Sequence, residues 1–282
     1  MGSRKKLLDE FLTIDTKSKS GINHEEKNAI DKKVINVLKV KTNEKFNKVE
    51  KIAFNTVGYQ IKVKELAGIG LYDWKYKYFP DIILDLKNLK TLSIVGEELK
   101  IIPKMIDQLD NLEYLRINGS KIEHLPESFG HLSSLKKLIL YNNQLKSLPE
   151  SFGKLSSLEF VLLSNNSLGD IPDSFGNLKS LKYLWLNHNK ITSLPDNFGT
   201  LHSLEKLYLN NCKLKNLPES FGNLESLQEL HIFKNNLETL PHSFVNLKNL
   251  KKLYIYDNPF VENLSNSNIE TIFEYVNRKI QE

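Results

Sequence analysis

From Leu66 onward the apolar residues fall into a fixed register. Leu66, Leu89, Leu112, Leu135, Leu158, Leu181, Leu204, Leu227 and Leu250 recur every 23 residues without slippage. Taking these as position one, position four reads Ile69, Leu92, Leu115, Leu138, Val161, Leu184, Leu207, Leu230 and Leu253. Position six reads Leu71, Ile94, Ile117, Leu140, Leu163, Leu186, Leu209, Ile232 and Ile255. Eight of the nine prolines sit at position fifteen, and Phe129, Phe152, Phe175, Phe198, Phe221 and Phe244 sit at position eighteen. Self-similarity of this period is the mark of a stacked-repeat architecture.

The period-two spacing of positions four and six points both side chains to one side of a short strand. A single repeat cannot bury that edge alone. Stacking lays the strands in parallel ~4.8 Å apart and makes one continuous core. Proline at position fifteen removes a donor and fixes φ, which suits a 3₁₀ outer face better than an α-helix. The phenylalanines are expected to stack behind the leucines as a second column. At position nine, Asn143, Asn166, Asn189, Asn235 and Asn258 can satisfy backbone groups buried in an inward turn. Cys212 takes that place in its own repeat, as a small buried residue. Trp74, Glu97 and Ser120 replace the asparagine in the first three repeats, which predicts irregular turns there.

The pattern L-x-x-L-x-L-x-x-N-x-L followed by L-P-x-x-F-G-x-L resembles the leucine-rich repeat family over residues 66–260. The 23-residue length and the L-P-E-S-F-G-N-L segments resemble the intracellular class linked to Ras-type signalling scaffolds, and archaeal and bacterial cytoplasmic arrays. The resemblance implies an α/β leucine-rich repeat solenoid, a curved horseshoe of nine repeats with parallel strands on its concave face. It further implies a non-enzymatic protein-binding role, with a small GTPase, a phosphatase subunit or another signalling protein as partner.

Four segments are expected. Residues 1–48 form a basic helical segment, 49–65 a hairpin-like cap, 66–260 the solenoid and 261–282 a capping helix. At the amino end, Leu7, Leu8, Phe11 and Leu12, then Ile30, Val34, Val37 and Leu38, form helical stripes, separated by a hinge over 14–24. The alternation over 49–54 and 59–63, with Asn55-Thr56-Val57-Gly58 between, predicts a hairpin. At the carboxyl end, Ser267-Asn268-Ile269-Glu270 reads as a capping box. Ile269, Ile272, Phe273, Val276 and Ile280 follow as the apolar stripe of a helix over 268–280.

Composition adds limits. Of 282 residues, 40% are apolar and 26% charged, which suits a globular chain. The net charge is +5, but residues 1–65 carry 15 Lys/Arg against 9 Asp/Glu, so the repeats are close to neutral. Nucleic-acid binding by the solenoid is therefore disfavoured. The basic segment leaves open an arm that binds nucleic acid or an anionic membrane. The single cysteine allows no internal disulfide, and Met1-Gly2-Ser3-Arg4-Lys5-Lys6 has no apolar secretory core. Both point to the cytoplasm. No catalytic constellation, metal-ligand spacing or cofactor motif is present, and no apolar run is long enough to span a membrane.

The chemistry that remains is surface. Positions three, five and seven should face outward on the concave side. Tyr114, Phe160 and Tyr183 occupy position three. Arg116, Ile139, Leu162, Trp185, Tyr208, His231 and Tyr254 occupy position five, and Tyr141, Phe233 and Tyr256 position seven. The expectation is an aromatic patch open to solvent, rimmed by Glu229, Lys137, Lys206 and Lys252, that binds a protein. Trp185→Ala should then leave stability almost unchanged. The chain is expected to be a monomer. A module serving a larger enzyme assembly, such as a GTPase or ubiquitin ligase, is the other reading.

Overall fold

A computed structural model of the chain describes residues 24–42, 46–49, 52, 57–62, 65–261 and 268–281. Eleven strands form one sheet in chain order: β1 (Asn47–Lys48), β2 (Gly58–Lys62), β3 (Glu65–Tyr72), β4 (Thr91–Val95), β5 (Tyr114–Asn118), β6 (Lys137–Ile139), β7 (Phe160–Leu162), β8 (Tyr183–Trp185), β9 (Lys206–Tyr208), β10 (Glu229–His231) and β11 (Lys252–Tyr254). From β3 onward every pair is parallel, and each residue lies opposite the one 23 positions later, as Leu138 lies opposite Val161. The repeat period is thus the strand register itself.

The outer face is built of short 3₁₀ turns, as the prolines require. Pro126, Pro149, Pro172, Pro218 and Pro241 each precede one, with φ between −64° and −72°. The proline carbonyl accepts the N–H three residues on, for example from Phe129 to Pro126 at 2.9 Å. The aliphatic residues at positions one, four and six are buried between the two faces, except Leu253 on the last strand, which is half-buried. The phenylalanine column stacks with neighbouring centroids 5.7–6.4 Å apart and planes within 6° of parallel.

Glycine at position nineteen is what allows this spacing. A Cβ on Gly199 would lie 1.7 Å from the Ser220 carbonyl oxygen, and one on Gly130 would lie 2.0 Å from that of Ser151. Backbone meets backbone there, so any side chain would force the repeats apart.

The asparagine ladder forms as expected. Asn189 Nδ2 donates to the carbonyls of Leu163 (3.1 Å) and Leu186 (2.7 Å), and its Oδ1 accepts the Leu168 N–H at 3.0 Å. Asn166, Asn235 and Asn258 repeat this set, each bonding two carbonyls and a backbone N–H. Cys212 keeps one of these bonds, from Sγ to the Leu186 carbonyl at 3.4 Å, and burial pushes its thiol up to about 11. Position eight, just before it, is left-handed: Asp73, Asn142, Asn165, His188, Asn211, Lys234 and Asp257 have φ of 54–64°. Asn and Asp tolerate that region, which explains their frequency at this place.

The first turns differ, as their sequences imply. β4 and β5 run five residues where β6 to β11 run three, and other groups tie the turns. The Trp74 indole donates to the Tyr78 carbonyl at 3.1 Å, and the Ser120 hydroxyl to that of Gly96.

The ends are covered. Helix α1 (His24–Lys41) buries Val34 and Leu38 in the core of the first repeat, with Ile35 alongside, and Asp31 accepts the Leu66 N–H at 3.2 Å. The buried stripe is thus rotated from the expected one: Ile30 is exposed and Val37 only half-buried. Leu7, Leu8, Phe11 and Leu12 and most of the expected hinge lie outside the described residues. Most of the first strand and of the turn of the expected hairpin lie outside the described residues. Among the described residues, β2 pairs antiparallel with β3 of the first repeat, and β1 pairs parallel with β2. Backbone donors on the outer edge of β3 need partners, and β2 supplies them. Helix α2 (Ile269–Gln281) opens on Asn268, whose Oδ1 accepts the Thr271 N–H at 2.8 Å; Ser267 is outside the described residues. Ile272 and Val276 are buried, and Phe273 ends the aromatic column edge-on to Phe244 at 6.2 Å and 84°.

Candidate functional site: the concave face

The structure brings the expected residues together on one face but closes six of the thirteen to solvent. Tyr114, Ile139, Phe160, Leu162 and Trp185 are each 2–5% exposed and form a second apolar cluster, separate from the main core. Tyr141, Tyr183 and Tyr208 pack against it, half-buried. The expectation of an open aromatic patch is corrected here. Strand spacing is about the width of a ring, so rings at positions three and five lie diagonally across neighbouring strands and cover one another. Phe160 of β7 rests on Trp185 of β8 with centroids 4.8 Å apart, and Tyr183 lies 6.3 Å from Trp185. Trp185 is therefore a packed residue, and its removal is expected to cost stability.

Toward the carboxyl end the row opens. Trp185, Tyr208, His231 and Tyr254 stack face to face across β8 to β11, with successive centroids at 5.0, 4.3 and 4.2 Å. Phe233 and Tyr256 stack beside them at 4.5 Å. His231 and Phe233 are half-buried, whereas Tyr254 and Tyr256 are 40% and 43% exposed. Rings stacked this way lose little freedom on binding, because their neighbours already fix them.

Glu229 organises the polar edge of this row. It accepts the Tyr208 hydroxyl at 2.9 Å and the His231 Nε2–H at 2.9 Å, with Lys206 at 3.6 Å and Lys252 at 3.7 Å. Burial pushes its carboxyl up, but the His231 and Tyr208 hydrogen bonds and the two lysines outweigh this. The group is held below the usual carboxylate range. Burial in turn pushes His231 down, against the pull of Glu229. The expected mixed-charge rim is thus partly an internal network.

At the other end, Arg116 is 5% exposed and its Nε donates to Asn118 Oδ1. Burial pushes the neighbouring Tyr114 hydroxyl up to about 12. Arg116 belongs to the floor of the face and presents little charge to solvent.

One feature was missed from the sequence. Position two alternates in sign through Lys90, Glu113, Lys136, Glu159, Lys182 and Glu205. Glu113 pairs with Lys90 at 3.3 Å and Lys136 at 3.0 Å, Lys182 with Glu159 at 3.6 Å, and Glu205 accepts the Tyr183 hydroxyl at 3.1 Å. The 23-residue spacing of opposite charges was the readable signal.

Family models described as leucine-rich repeat region, leucine-rich repeats in two copies and leucine-rich repeat match residues 104–189, 179–226 and 217–260. No curated protein matches the chain by sequence. Among solved structures, a Leptospira interrogans leucine-rich repeat protein is 32% identical with a TM-score of 0.53, covering 68% of this chain and 54% of its own. A TDR receptor is 32% identical with a TM-score of 0.62, covering 69% and 35%. The plant peptide hormone receptor RGFR1, in complex with RGF2, is 24% identical with a TM-score of 0.61, covering 78% and 38%, a likeness of fold. This chain thus spans about half of the bacterial protein and little over a third of either receptor structure. No helix among the described residues is long and apolar enough to cross a membrane. With the register, the asparagine ladder and these matches in agreement, the chain belongs to the leucine-rich repeat proteins.

Proposed function

We propose that this chain is a protein-binding module that docks its partner on the carboxyl-terminal half of the concave face. The leucine-rich repeat fold is a common protein-interaction module, and its families are typically non-enzymatic. The observation that carries the reading is the stacked row Trp185–Tyr208–His231–Tyr254, buried at one end and open at Tyr254 and Tyr256 at the other. Rigid tyrosines with exposed faces and hydroxyls are favoured interface anchors. The buried floor of Ile139, Leu162 and Trp185 supports them, while Tyr254, Tyr256, Phe233 and the Glu229–Lys252 edge make the contact.

The partner class follows from resemblance to the intracellular repeat class: a signalling protein, with a small GTPase the first to test, acting in the cytoplasm. The test is affinity capture from the native cell with wild type and with the Tyr254→Ala, Tyr256→Ala double variant, followed by titration of the partner recovered. Two anchor losses should weaken binding at least ~30-fold, about 2 kcal/mol. A partner that binds the double variant as tightly as wild type would place the interface elsewhere.

A further inference from the structure

The repeats act as controls for one another, and two of them break the pattern on the outer side. At position thirteen the later repeats carry Ser147, Asp170, Ser193, Asn216 and Thr239, whereas the first two carry Tyr78 and Ile101. At position seventeen the repeats after the second carry Ser128, Ser151, Ser174, Asn197, Ser220 and Ser243, whereas repeat two carries Met105. Folding does not require these apolar residues, since the other repeats stack without them. They are open to solvent: Tyr78 is 70% exposed, Ile101 55% and Met105 55%. Tyr78 and Ile101 lie side by side in a parallel bridge.

Next to them is a groove of about 420 Å³ between repeats two and three, with Ile101, Ile102, Leu125 and Pro126 in its wall. Its charge is mostly basic, with Glu123 also in the wall. Lys100, Lys104 and His124 line it and are exposed, and the backbone carbonyl of Lys77, next to Tyr78, accepts the Lys100 N–H at 3.0 Å. The nearby carboxylates are engaged, Glu98 by Lys121 at 2.7 Å and Glu123 by Lys146. Lys77, Lys100 and Lys104 have no carboxylate within 4 Å among the described residues, although Glu98 attracts Lys77 and Lys100 from farther off and Glu123 attracts Lys100.

We infer that this groove, on the side away from the concave face, is a second docking site. Its occupant is a short acidic peptide segment whose apolar side chain enters the groove while its carboxylates meet the lysines. Charge complementarity selects that occupant. A recess suits an inserted side chain, whereas a bilayer surface is met by a protruding apolar tip.

The test is selection of twelve-residue peptides from a displayed random library on the full chain, then anisotropy titration of the strongest one, labelled with fluorescein. Recovered peptides should join a Leu, Ile or Phe to flanking Asp or Glu, and their affinity should fall as salt rises. Ile101→Ser with Met105→Ser installs residue types that neighbouring repeats already tolerate, so the fold is kept and circular dichroism verifies it. This pair should weaken the peptide at least tenfold, and so should Lys100→Glu with Lys104→Glu. The Tyr254→Ala, Tyr256→Ala variant should bind it unchanged, which separates this site from the concave one. Peptides without acidic residues, or unchanged binding to the Ile101→Ser, Met105→Ser variant, would overturn the inference. So would phosphatidylserine vesicles that bind through these residues when no peptide does, which would make the surface a lipid contact.

Discussion

Replacing Trp185 with alanine separates a packed concave face from an open one. The ring is 5% exposed, 4.8 Å from Phe160 and 5.0 Å from Tyr208. Truncating a buried Trp to Ala costs roughly 3–5 kcal/mol in a closed core. This cluster has backbone on one side and only side chains on the other, so the lower end, about 3 kcal/mol, is expected. In a chain of this size 1 kcal/mol moves the melting temperature by roughly 2–4 °C, which gives a fall of about 6–12 °C. Trp185→Phe keeps a ring in the stack and should cost less than about half as much. Thermal melts followed by circular dichroism, with urea titration alongside, measure both variants. Tyr254→Ala serves as the control, because that ring is 40% exposed and should barely move the melt. If Trp185→Ala lowers the melting temperature by less than ~2 °C, the ring is not packed and the concave face is open after all.

Three further outcomes follow from the geometry. Gly199→Ala should destabilise by about 3 kcal/mol or more, since its Cβ would lie 1.7 Å from the Ser220 carbonyl oxygen; a wild-type melt would refute the close approach. Cys212, buried and with its thiol pushed up to about 11, should react with a disulfide reagent at pH 8 only as fast as the chain unfolds, and immediate labelling would contradict its placement. Acid should weaken the carboxyl-terminal repeats in two stages. The folded site resists protonation of His231, so that contribution is present above pH 6.5 and lost as pH falls below it; the Glu229 contribution is present above 4.5 and lost below it. The chemical-denaturation midpoint of wild type should fall relative to that of His231→Phe as pH drops from 7.5 to 5.5, and parallel curves would refute the His231 part.

Much of the fold was legible because a repeat states its constraints many times over. The 23-residue period determined the strand register, since stacking offers each leucine only its counterpart as neighbour. Proline at fifteen determined the 3₁₀ outer face, and asparagine at nine its inward turn, because a fixed φ and a two-donor amide each admit few local structures. The need for glycine at nineteen was readable only in part: the sequence shows the glycines, but the backbone contact that demands them lies between repeats.

Tertiary structure alone decided which outward residues stay outward. Ile139 and Tyr254 occupy the same position of the repeat, yet one is 2% exposed and the other 40%. Alternation along a strand names the face a side chain leaves from, but its burial depends on how large the rings on both adjacent strands are and where they lean. Ile139 has Tyr114, Phe160 and Leu162 packed with it, while Tyr254 sits on the last strand, β11, with a strand on only one side. The same reason hid the amino-terminal pairing. Alternation marked β2, but its antiparallel pairing with β3 was decided by the open edge of β3, a property of the assembled sheet.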